Sequence, residues 1–364
     1  MKLPLAILLL LMLSSAFVEG QNNPIEVASF GENQPIGMAV SEKTNRVFVS
    51  FPHNDPFLYA LTEIINGQRV PYPNREWNEY HPNQPKEHFV NVQDMMVDNQ
   101  DMLWVLDSKP GRTNSVFGKE TTGAQGPQFK LVKIDLRDNT VKRIYTFDDL
   151  PKNKSALNDV RIDNDKHLAY LSDPSLKAIV VLNLVTGRSR IVLQNHPATL
   201  ADPENILHLD GKDVVDANNH PFMSNINGIA LTHDNKYFYF RAINQDYLYR
   251  IETKYLADES LSEDNLASRV EQVAKTGICH GMIADNKGNI YLSVSPDKAI
   301  KYVSPDGKLH TLSQNEQYIW PDSFSIGRDG YLYFTCSQVN RSANYNKGKK
   351  AFSYPFKAFK VKLP

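Results

Sequence analysis

The sequence of 364 residues predicts an all-β fold, a six-bladed β-propeller. Six times along the chain, a short strand that opens on polar and small residues precedes a second strand rich in Tyr, Phe, Val and Leu. The six openings are 36–40, 93–97, 158–162, 227–231, 280–284 and 322–326, and their partners are 46–50, 102–106, 167–171, 236–240, 289–293 and 331–335. Repetition at tens of residues is typical of an array, and an array of four-stranded units is a propeller.

Third and fourth strands follow in most of the six units. Thr186-Gly187 and Asp306-Gly307 lie between two such strands and are typical hairpin turns. The segment 26–30 is predicted to return as the outermost strand of the last unit and to close the ring. The remaining predicted strands are 57–61, 130–134, 141–144, 178–182, 189–193, 247–251, 300–303, 309–312 and 356–361.

The uneven spacing of the units places the extra chain length in loops, where binding residues are usually found. Three insertions stand out, at 71–88, 108–128 and 195–226. One short helix is predicted at Ser262–Val273, because Ser262 is a favourable N-cap and Leu266, Val270 and Val273 share one helical face.

The N-terminal segment 1–20 has the features of a secretory signal peptide: Lys2, then an apolar run, then small residues. The apolar run is too short to cross a bilayer, which needs about 20 residues. We therefore expect a secreted or periplasmic protein that does not insert into membranes, with residues 21–364 as a single propeller domain. The expected oligomeric state is a monomer.

Charge and cysteine content narrow the classes of function further. The 40 basic and 41 acidic residues nearly balance, so the overall field does not favour nucleic acid as a partner. Two cysteines are too few for a disulfide-rich scaffold. Cys279 precedes the fifth inner strand and Cys336 follows the second strand of the sixth unit, so both are expected at one face of the ring. A disulfide and two buried thiols both remain open.

Five motifs resemble those of the yellow/major royal jelly protein family. They are Pro73-Asn74-Arg75-Glu76-Trp77-Asn78, Leu131-Val132-Lys133-Ile134-Asp135-Leu136, Asn158-Asp159-Val160-Arg161, Asn227-Gly228-Ile229-Ala230-Leu231 and Trp320-Pro321-Asp322-Ser323. The similarity covers essentially the whole mature chain in the right order and implies a six-bladed propeller. Insect members carry more cysteines, so the chain looks more like the bacterial branch, which is described as dopachrome-tautomerase-related.

A weaker resemblance is to the gluconolactonase/senescence-marker propellers, which hold a divalent cation on the axis with a Glu, two Asn and an Asp. Asn158 and Asn227 match the two Asn, whereas the Glu position reads as Gln34 or Pro35 and the Asp position as His280. Two anionic ligands are therefore missing, and calcium needs carboxylate charge. We expect no cofactor, and we expect the axial site to bind calcium weakly or not at all.

Polar residues open the inner strands in five units. Taken singly, each is explained as a turn cap beside a wet channel. Together, two amides, several carboxylates and an imidazole at one end of a channel form a pocket that can orient a small ligand. The candidate ligand-binding residues are Asp94, Asn158, Asp159, Asn227, His280 and Asp322.

Carboxylates near an aromatic rim suit an amine-bearing ligand. Trp320, Tyr318, Trp77 and Phe324 are the candidates for that rim. His280 is the candidate catalytic residue, because it is the only acid/base group in this set whose ordinary pKa lies near neutrality. A hydrogen-bonded channel histidine is the alternative.

Two classes of function remain open. The first is a binding protein or carrier for a small amine, catechol or related metabolite. The second is an enzyme, either a tautomerase of catechol-derived quinones or a metal-dependent lactonase.

Overall fold

Residues 22–54, 56–81, 84–108 and 129–364, which the structure describes, form six four-stranded antiparallel sheets arranged as a β-propeller in this computed structural model. The predicted six-bladed, all-β fold is confirmed. The predicted signal peptide lies outside the described residues, as does most of the 108–128 insertion. No helix in the described ranges is long and apolar enough to cross a membrane.

The blades are numbered in chain order, and each runs from an inner strand at the axis to an outer strand. Blades 1 to 3 comprise Met38–Val40, Val47–Ser50, Leu61–Ile65 and Gln68–Pro71; Val92–Val97, Met102–Asp107, Lys130–Asp135 and Thr140–Tyr145; and Val160–Asp163, Leu168–Asp173, Ala178–Asn183 and Ser189–Val192. Blades 4 to 6 comprise Ile226–Leu231, Tyr237–Ala242, Tyr247–Glu252 and Glu271–Lys275; Met282–Ala284, Ile290–Val294, Ala299–Val303 and Leu309–Gln314; and Pro321–Ile326, Tyr331–Cys336, Lys357–Lys362 and Ile25–Ser29.

The ring closes through the N-terminal strand, as predicted. Ile25–Ser29 pairs antiparallel with Lys357–Lys362, so blade 6 combines the two ends of the described chain. Since a closed ring has no free blade at either end, this pairing protects the edges that an open array would expose.

Hydrophobic clusters fill the spaces between neighbouring blades. In the part of the chain that the structure describes, six clusters each join two adjacent blades around the ring. Phe48 of blade 1, for example, packs in one cluster with Leu103 of blade 2. The aromatic and branched residues of the second strands supply much of this packing, because alternate side chains face opposite neighbours.

Two glycines let adjacent inner strands approach closely. A Cβ added at Gly228 would lie 2.1 Å from the backbone oxygen of His280. At Gly281 it would lie 1.7 Å from the backbone oxygen of Asp322. The chain thus needs glycine at these positions for space, and the approach brings His280 and Asp322 to the axis.

The third strand of blade 1 differs from the prediction. It was expected at 57–61, but it begins at Leu61. The second strand ends at Ser50, which pairs with Leu61, so the register leaves Phe57 without a strand to pair with. Phe57 instead packs against the cluster between blades 1 and 2.

The predicted helix at Ser262–Val273 is too long. Ser262 does cap a helix by accepting a hydrogen bond from the Asn265 N–H, but this helix, Glu263–Ala267, has a single turn. Residues Glu271–Lys275 form the outer strand of blade 4, because pairing with Tyr247–Glu252 satisfies the backbone of both strands. A second short helix spans Thr253–Ala257.

Cys279 and Cys336 are two buried free thiols, so the disulfide alternative is excluded in this structure. Burial raises the pKa of both thiols above the ordinary range of a cysteine. Both are expected to stay protonated and inert.

The 195–226 insertion is hydrogen-bonded to the loop 337–356, which links the second and third strands of blade 6. Asp210, beside the hairpin formed by His208–Leu209 and Lys212–Asp213, accepts hydrogen bonds from Arg341 and Asn340. Beneath this contact, a further cluster joins Leu207, Leu209, Val214, Trp320 and Val339. The five short 3₁₀ segments assigned in the described residues are Glu76–Asn78, Pro197–Thr199, Ser295–Asp297, Val339–Arg341 and Ala343–Tyr345.

Candidate ligand-binding site

A cavity of about 380 Å³ opens at the end of the axial channel where the inner strands begin. This volume lies within the range of small-molecule sites, roughly 300–1,000 Å³. The structure brings all six predicted site residues together in its wall, namely Asp94, Asn158, Asp159, Asn227, His280 and Asp322.

The site residues lie where the inner strands depart from regular pairing. Bulges interrupt the ladder beside Asp94, Asn227 and Asp322. In blades 3 and 5 the regular strands begin only after Asp159 and His280. Bulges re-aim side chains and are common next to functional sites. In five blades, a bulge or a late start of the inner strand therefore allows a polar residue to turn toward the axis.

Buried serines fix the backbone beside these residues. Ser50, Ser172 and Ser293 occupy the same place in the second strands of blades 1, 3 and 5, and each hydroxyl accepts an inner-strand N–H, from Gly37, Asp159 and Gly281 respectively. The Gly281 bond is 2.9 Å long. Sequence reasoning missed this role, although the serine that recurs near the end of the second strands of blades 1, 3 and 5 was its signal.

Arg161 closes the channel below the cavity. Its guanidinium lies 3.1 Å from Asp94 Oδ2 and also donates to the backbone oxygen of Met282, across the axis in blade 5. A second, smaller cavity on the other side of Arg161 is lined by residues further along the inner strands. Sequence reasoning missed Arg161 as a site residue, although its position two residues after Asp159 places both on one face of the chain.

Burial raises the pKa of Asp94 above its ordinary value, while the Arg161 charge and the N–H of Val160 oppose that rise. Because the Asp94 carboxylate is paired with Arg161, this pair is close to neutral as a unit. Asp94 is accordingly a structural anchor of the cavity floor as well as a part of its wall.

Asp159 and Asp322 form no ion pair within the described residues, although the Arg161 charge opposes part of the rise in the pKa of Asp159. Burial first, and then the neighbouring Asp94 and Asp322 carboxylates, raise the pKa of Asp159 well above its ordinary value. Burial raises the pKa of Asp322 to about 7, although the Ser337 hydroxyl donates a hydrogen bond to it at 2.7 Å. Asp322 is therefore a cavity carboxyl group that titrates near neutral pH, a role that the sequence assigned to His280.

His280 does not titrate near neutrality, so that expectation was wrong. Burial lowers the pKa of His280 to about 3, and the Arg241 charge adds to the effect. The imidazole is therefore neutral at physiological pH. Its ring stacks on Trp320 with a centroid distance of 4.2 Å, and neither ring nitrogen has a hydrogen-bond partner among the described residues. The alternative of a hydrogen-bonded channel histidine is thus also not what the structure shows.

An aromatic wall faces the carboxylates. Of the four predicted rim residues, Trp320 and Phe324 line the cavity. Tyr318 does not, because it is buried between blades 5 and 6 and its hydroxyl is bonded to Ser313. Trp77 was also wrongly placed, since it packs on Phe89 near blades 1 and 2.

Two further aromatic residues complete the wall and were missed in the sequence, Phe222 of the 195–226 insertion and Tyr345 of the loop between the second and third strands of blade 6. The Phe222 ring contacts the Trp320 ring edge-on, with 5.3 Å between the ring centroids. The Tyr345 ring contacts Phe222 in the same way, with 5.8 Å between the centroids. Trp320 holds this stack with a left-handed backbone (φ 55°), a conformation that is costly for a bulky residue. Such strain is concentrated at functional sites.

The axial residues do not form a good metal site. Among the described residues, no group of three or more His, Cys, Asp or Glu side chains is arranged to hold a metal ion. Asn158 is already hydrogen-bonded to Gln93 and Asp159, and Asp94 is paired with Arg161. Gln34 is bonded to Asn54 and to the Ser337 backbone oxygen and does not line the cavity.

We therefore expect weak calcium binding or none, because Asn158 and Asp94 already have partners and the carboxyl groups of the described wall are not arranged around one point to repay the dehydration of a divalent cation. Calorimetry on chelator-treated protein measures this directly. Tight stoichiometric binding that is lost in both Asn158→Ala and Asn227→Ala would contradict the expectation and would favour a lactonase-like site.

The fold and its cavity define a six-bladed propeller with a recessed polar and aromatic site on its axis. The model of the major royal jelly protein family matches residues 90–363. The chain belongs to this family, as the sequence motifs predicted. No curated protein sequence is significantly similar to the chain.

Solved structures with the same fold have diverged far in sequence. The chain is similar to a calcium-binding protein, regucalcin, from Agrobacterium tumefaciens, with 12% identity, TM-score 0.53, and coverage of 93% of this chain and 94% of that one. Virginiamycin B lyase from Staphylococcus aureus gives 14% identity, TM-score 0.53, and coverage of 94% of this chain and 99% of that one. A gluconolactonase from Xanthomonas campestris gives 12% identity, TM-score 0.52, and coverage of 91% of this chain and 86% of that one. At such identities the likeness shows the fold alone.

Proposed function

We propose that this protein is an exported binding protein for a small organic cation with an aromatic ring, such as an amine or a catechol-derived amine. The observation that carries the proposal is the charge balance of the cavity. Three carboxyl groups, those of Asp94, Asp159 and Asp322, line it together with Arg161, the one cationic side chain among the described residues of its wall. The leader-like segment 1–20 supports export.

A cationic ligand would complete this charge balance. Arg161 pairs with Asp94 and only partly offsets the charge of Asp159, and His280 is neutral, so the described wall holds no second cation to balance Asp159 and Asp322 when they ionise. Their raised pKa values mean that ionising them in the empty cavity is unfavourable. A bound ammonium group would favour the ionised form of both carboxylates, and the aromatic wall would contact the rest of the ligand.

The proposal predicts that amine binding strengthens with rising pH. An alkylammonium probe such as 2-phenylethylamine keeps its charge between pH 5.5 and 8, whereas Asp322 loses its proton as pH rises through about 7. We expect the affinity to rise roughly ten-fold or more over this range, because only ionised carboxylates attract the cation. Titration calorimetry in two buffers of different ionisation enthalpy would also show proton release on binding at pH 6.

Neutral 2-phenylethanol is the matched probe for this experiment, and Asp306→Asn, in an exposed hairpin of blade 5, is the control variant. The control should bind the amine as wild type does. An affinity for the amine that does not change with pH, or that equals the affinity for 2-phenylethanol, would contradict the proposed function.

A tautomerase is the second candidate, because Asp322 with a pKa of about 7 has the acid/base properties that proton transfer near neutral pH requires. Turnover of dopachrome, followed by its loss of visible absorbance, distinguishes the two functions. Turnover by wild type that is lost in Asp322→Asn would favour the enzyme. Binding of amines without turnover would favour the carrier.

A further inference from the structure

His280 is a buried polar side chain whose hydrogen-bonding groups are not used. Its ring is 1% exposed, lines the cavity, and has no hydrogen-bond partner for Nδ1 or Nε2 in the described ranges. The buried polar groups around it differ in this respect, since Asp94 and Arg161 each make several hydrogen bonds. A buried donor and acceptor without partners are costly, so this arrangement is typical of a group that meets its partner in a ligand.

The state of the imidazole determines what that partner can be. A neutral imidazole carries one N–H donor and one acceptor nitrogen. A hydroxyl group matches either nitrogen, because it both donates and accepts. A ligand carboxylate would be repelled by Asp159 and Asp322 in the same wall, and an ammonium group would favour those carboxylates over a neutral ring.

The position of the ring favours a hydroxyl that is carried on an aromatic ligand. Trp320 covers one face of His280 in a stack of 4.2 Å, and Phe222 continues the aromatic wall from Trp320. A planar ligand ring that packs on this wall lies alongside the imidazole edge. We propose that His280 forms a hydrogen bond with a ring hydroxyl of the ligand. The site would thereby bind hydroxylated arylalkylamines more tightly than their unsubstituted analogues. The inference rests on the proposed function only in assuming that the ligand carries an amine; the hydroxyl contact is argued from His280 itself.

The test compares ligands that differ by one hydroxyl. Wild type should bind tyramine about ten-fold more tightly than 2-phenylethylamine, a preference typical of one added hydrogen bond between buried groups. In His280→Phe, which keeps a ring against Trp320 but has no nitrogen, the ratio of the two dissociation constants should fall to about one. His280→Gln, which keeps a donor and an acceptor, should retain part of the preference and serves if the Phe variant does not fold.

His233→Phe is the matched control, because His233 lines the smaller cavity on the other side of Arg161. It should keep the wild-type ratio. Equal affinities of wild type for tyramine and 2-phenylethylamine, or a preference that is the same in His280→Phe, would overturn the inference. The latter result would indicate that water or another group satisfies the imidazole.

Catechol, which has hydroxyls but no amine, separates this inference from the proposed function. If neither amine binds but catechol binds to wild type and more weakly to His280→Phe, the hydroxyl subsite stands and the amine carrier fails. If amines bind with the pH dependence given above but without a hydroxyl preference, the carrier stands and the subsite fails. If no probe binds, both fail.

Discussion

Replacing Gly281 with alanine is expected to lower the free energy of unfolding by about 3 kcal/mol, the upper part of the range for overpacked sites. The added Cβ would lie 1.7 Å from the backbone oxygen of Asp322 and 2.9 Å from its carbonyl carbon. Both contacts are with backbone, which cannot move aside as the tip of a flexible side chain can. Relief requires blades 5 and 6 to separate at the axis, where the Gly281 N–H is also bonded to Ser293.

Equilibrium unfolding in denaturant measures the loss. Gly67→Ala is the control, because Gly67 has a left-handed φ of 75° but no atom within 4 Å of the added Cβ. That variant should lose only about 1 kcal/mol, the cost of the backbone conformation. Equal losses in the two variants would show that crowding against blade 6 is not the reason for glycine at position 281.

The repeat made the fold predictable from the sequence. The second strands carry runs such as Tyr237–Phe240 that pack between blades, and their recurrence gave the number of blades. The apolar spacing gave a wrong prediction in blade 4, where it indicated one long helix and the structure has a short helix followed by a strand. Leu266, Val270 and Val273 fit one helical face, yet the helix ends at Ala267 because 271–275 pairs with the neighbouring strand. Pairing across the chain is a tertiary effect that a local pattern does not contain.

The composition of the candidate site was predictable in part, because polar residues at equivalent positions of successive blades converge on the axis. The electrostatics were not. The pKa values of His280 and Asp322 shift in opposite directions, since burial disfavours the charged form of either group and so lowers the first and raises the second. Phe222 and Tyr345 were missed because they come from two long loops, 195–226 and 337–356, whose course depends on long-range contacts such as that of Asp210 with Arg341.

Asp322→Asn is expected to have opposite effects on stability and on binding. A carboxyl group whose pKa is about 7 in the folded protein, against an ordinary 3.8, holds a proton that the unfolded chain releases between those values. The stability of the wild type therefore falls as pH rises through this window. An amide has no proton to lose, so the variant avoids this cost. It can still accept a hydrogen bond from Ser337.

We expect the free energy of unfolding of the variant to exceed that of the wild type by about 1–2 kcal/mol at pH 8, with no difference near pH 4. This figure is well below the full effect of the pKa shift because the Asp322 side chain is only half-buried and the cavity admits solvent. Thermal or denaturant unfolding at both pH values tests it. Asp306→Asn should show no gain at pH 8, because Lys308 stabilises the charged form of Asp306 and lowers its pKa to about 2.

The same substitution should weaken the binding of 2-phenylethylamine roughly 30-fold or more at pH 8, the usual consequence of removing one partner of a desolvated charge pair. Together the two results would mean that Asp322 lowers the stability of the unliganded protein and strengthens the binding of the ligand. That combination is the thermodynamic pattern of a functional residue as opposed to a structural one. A variant that is less stable at pH 8 and binds the amine as wild type does would instead make Asp322 a structural residue, and the cavity would then have another ligand.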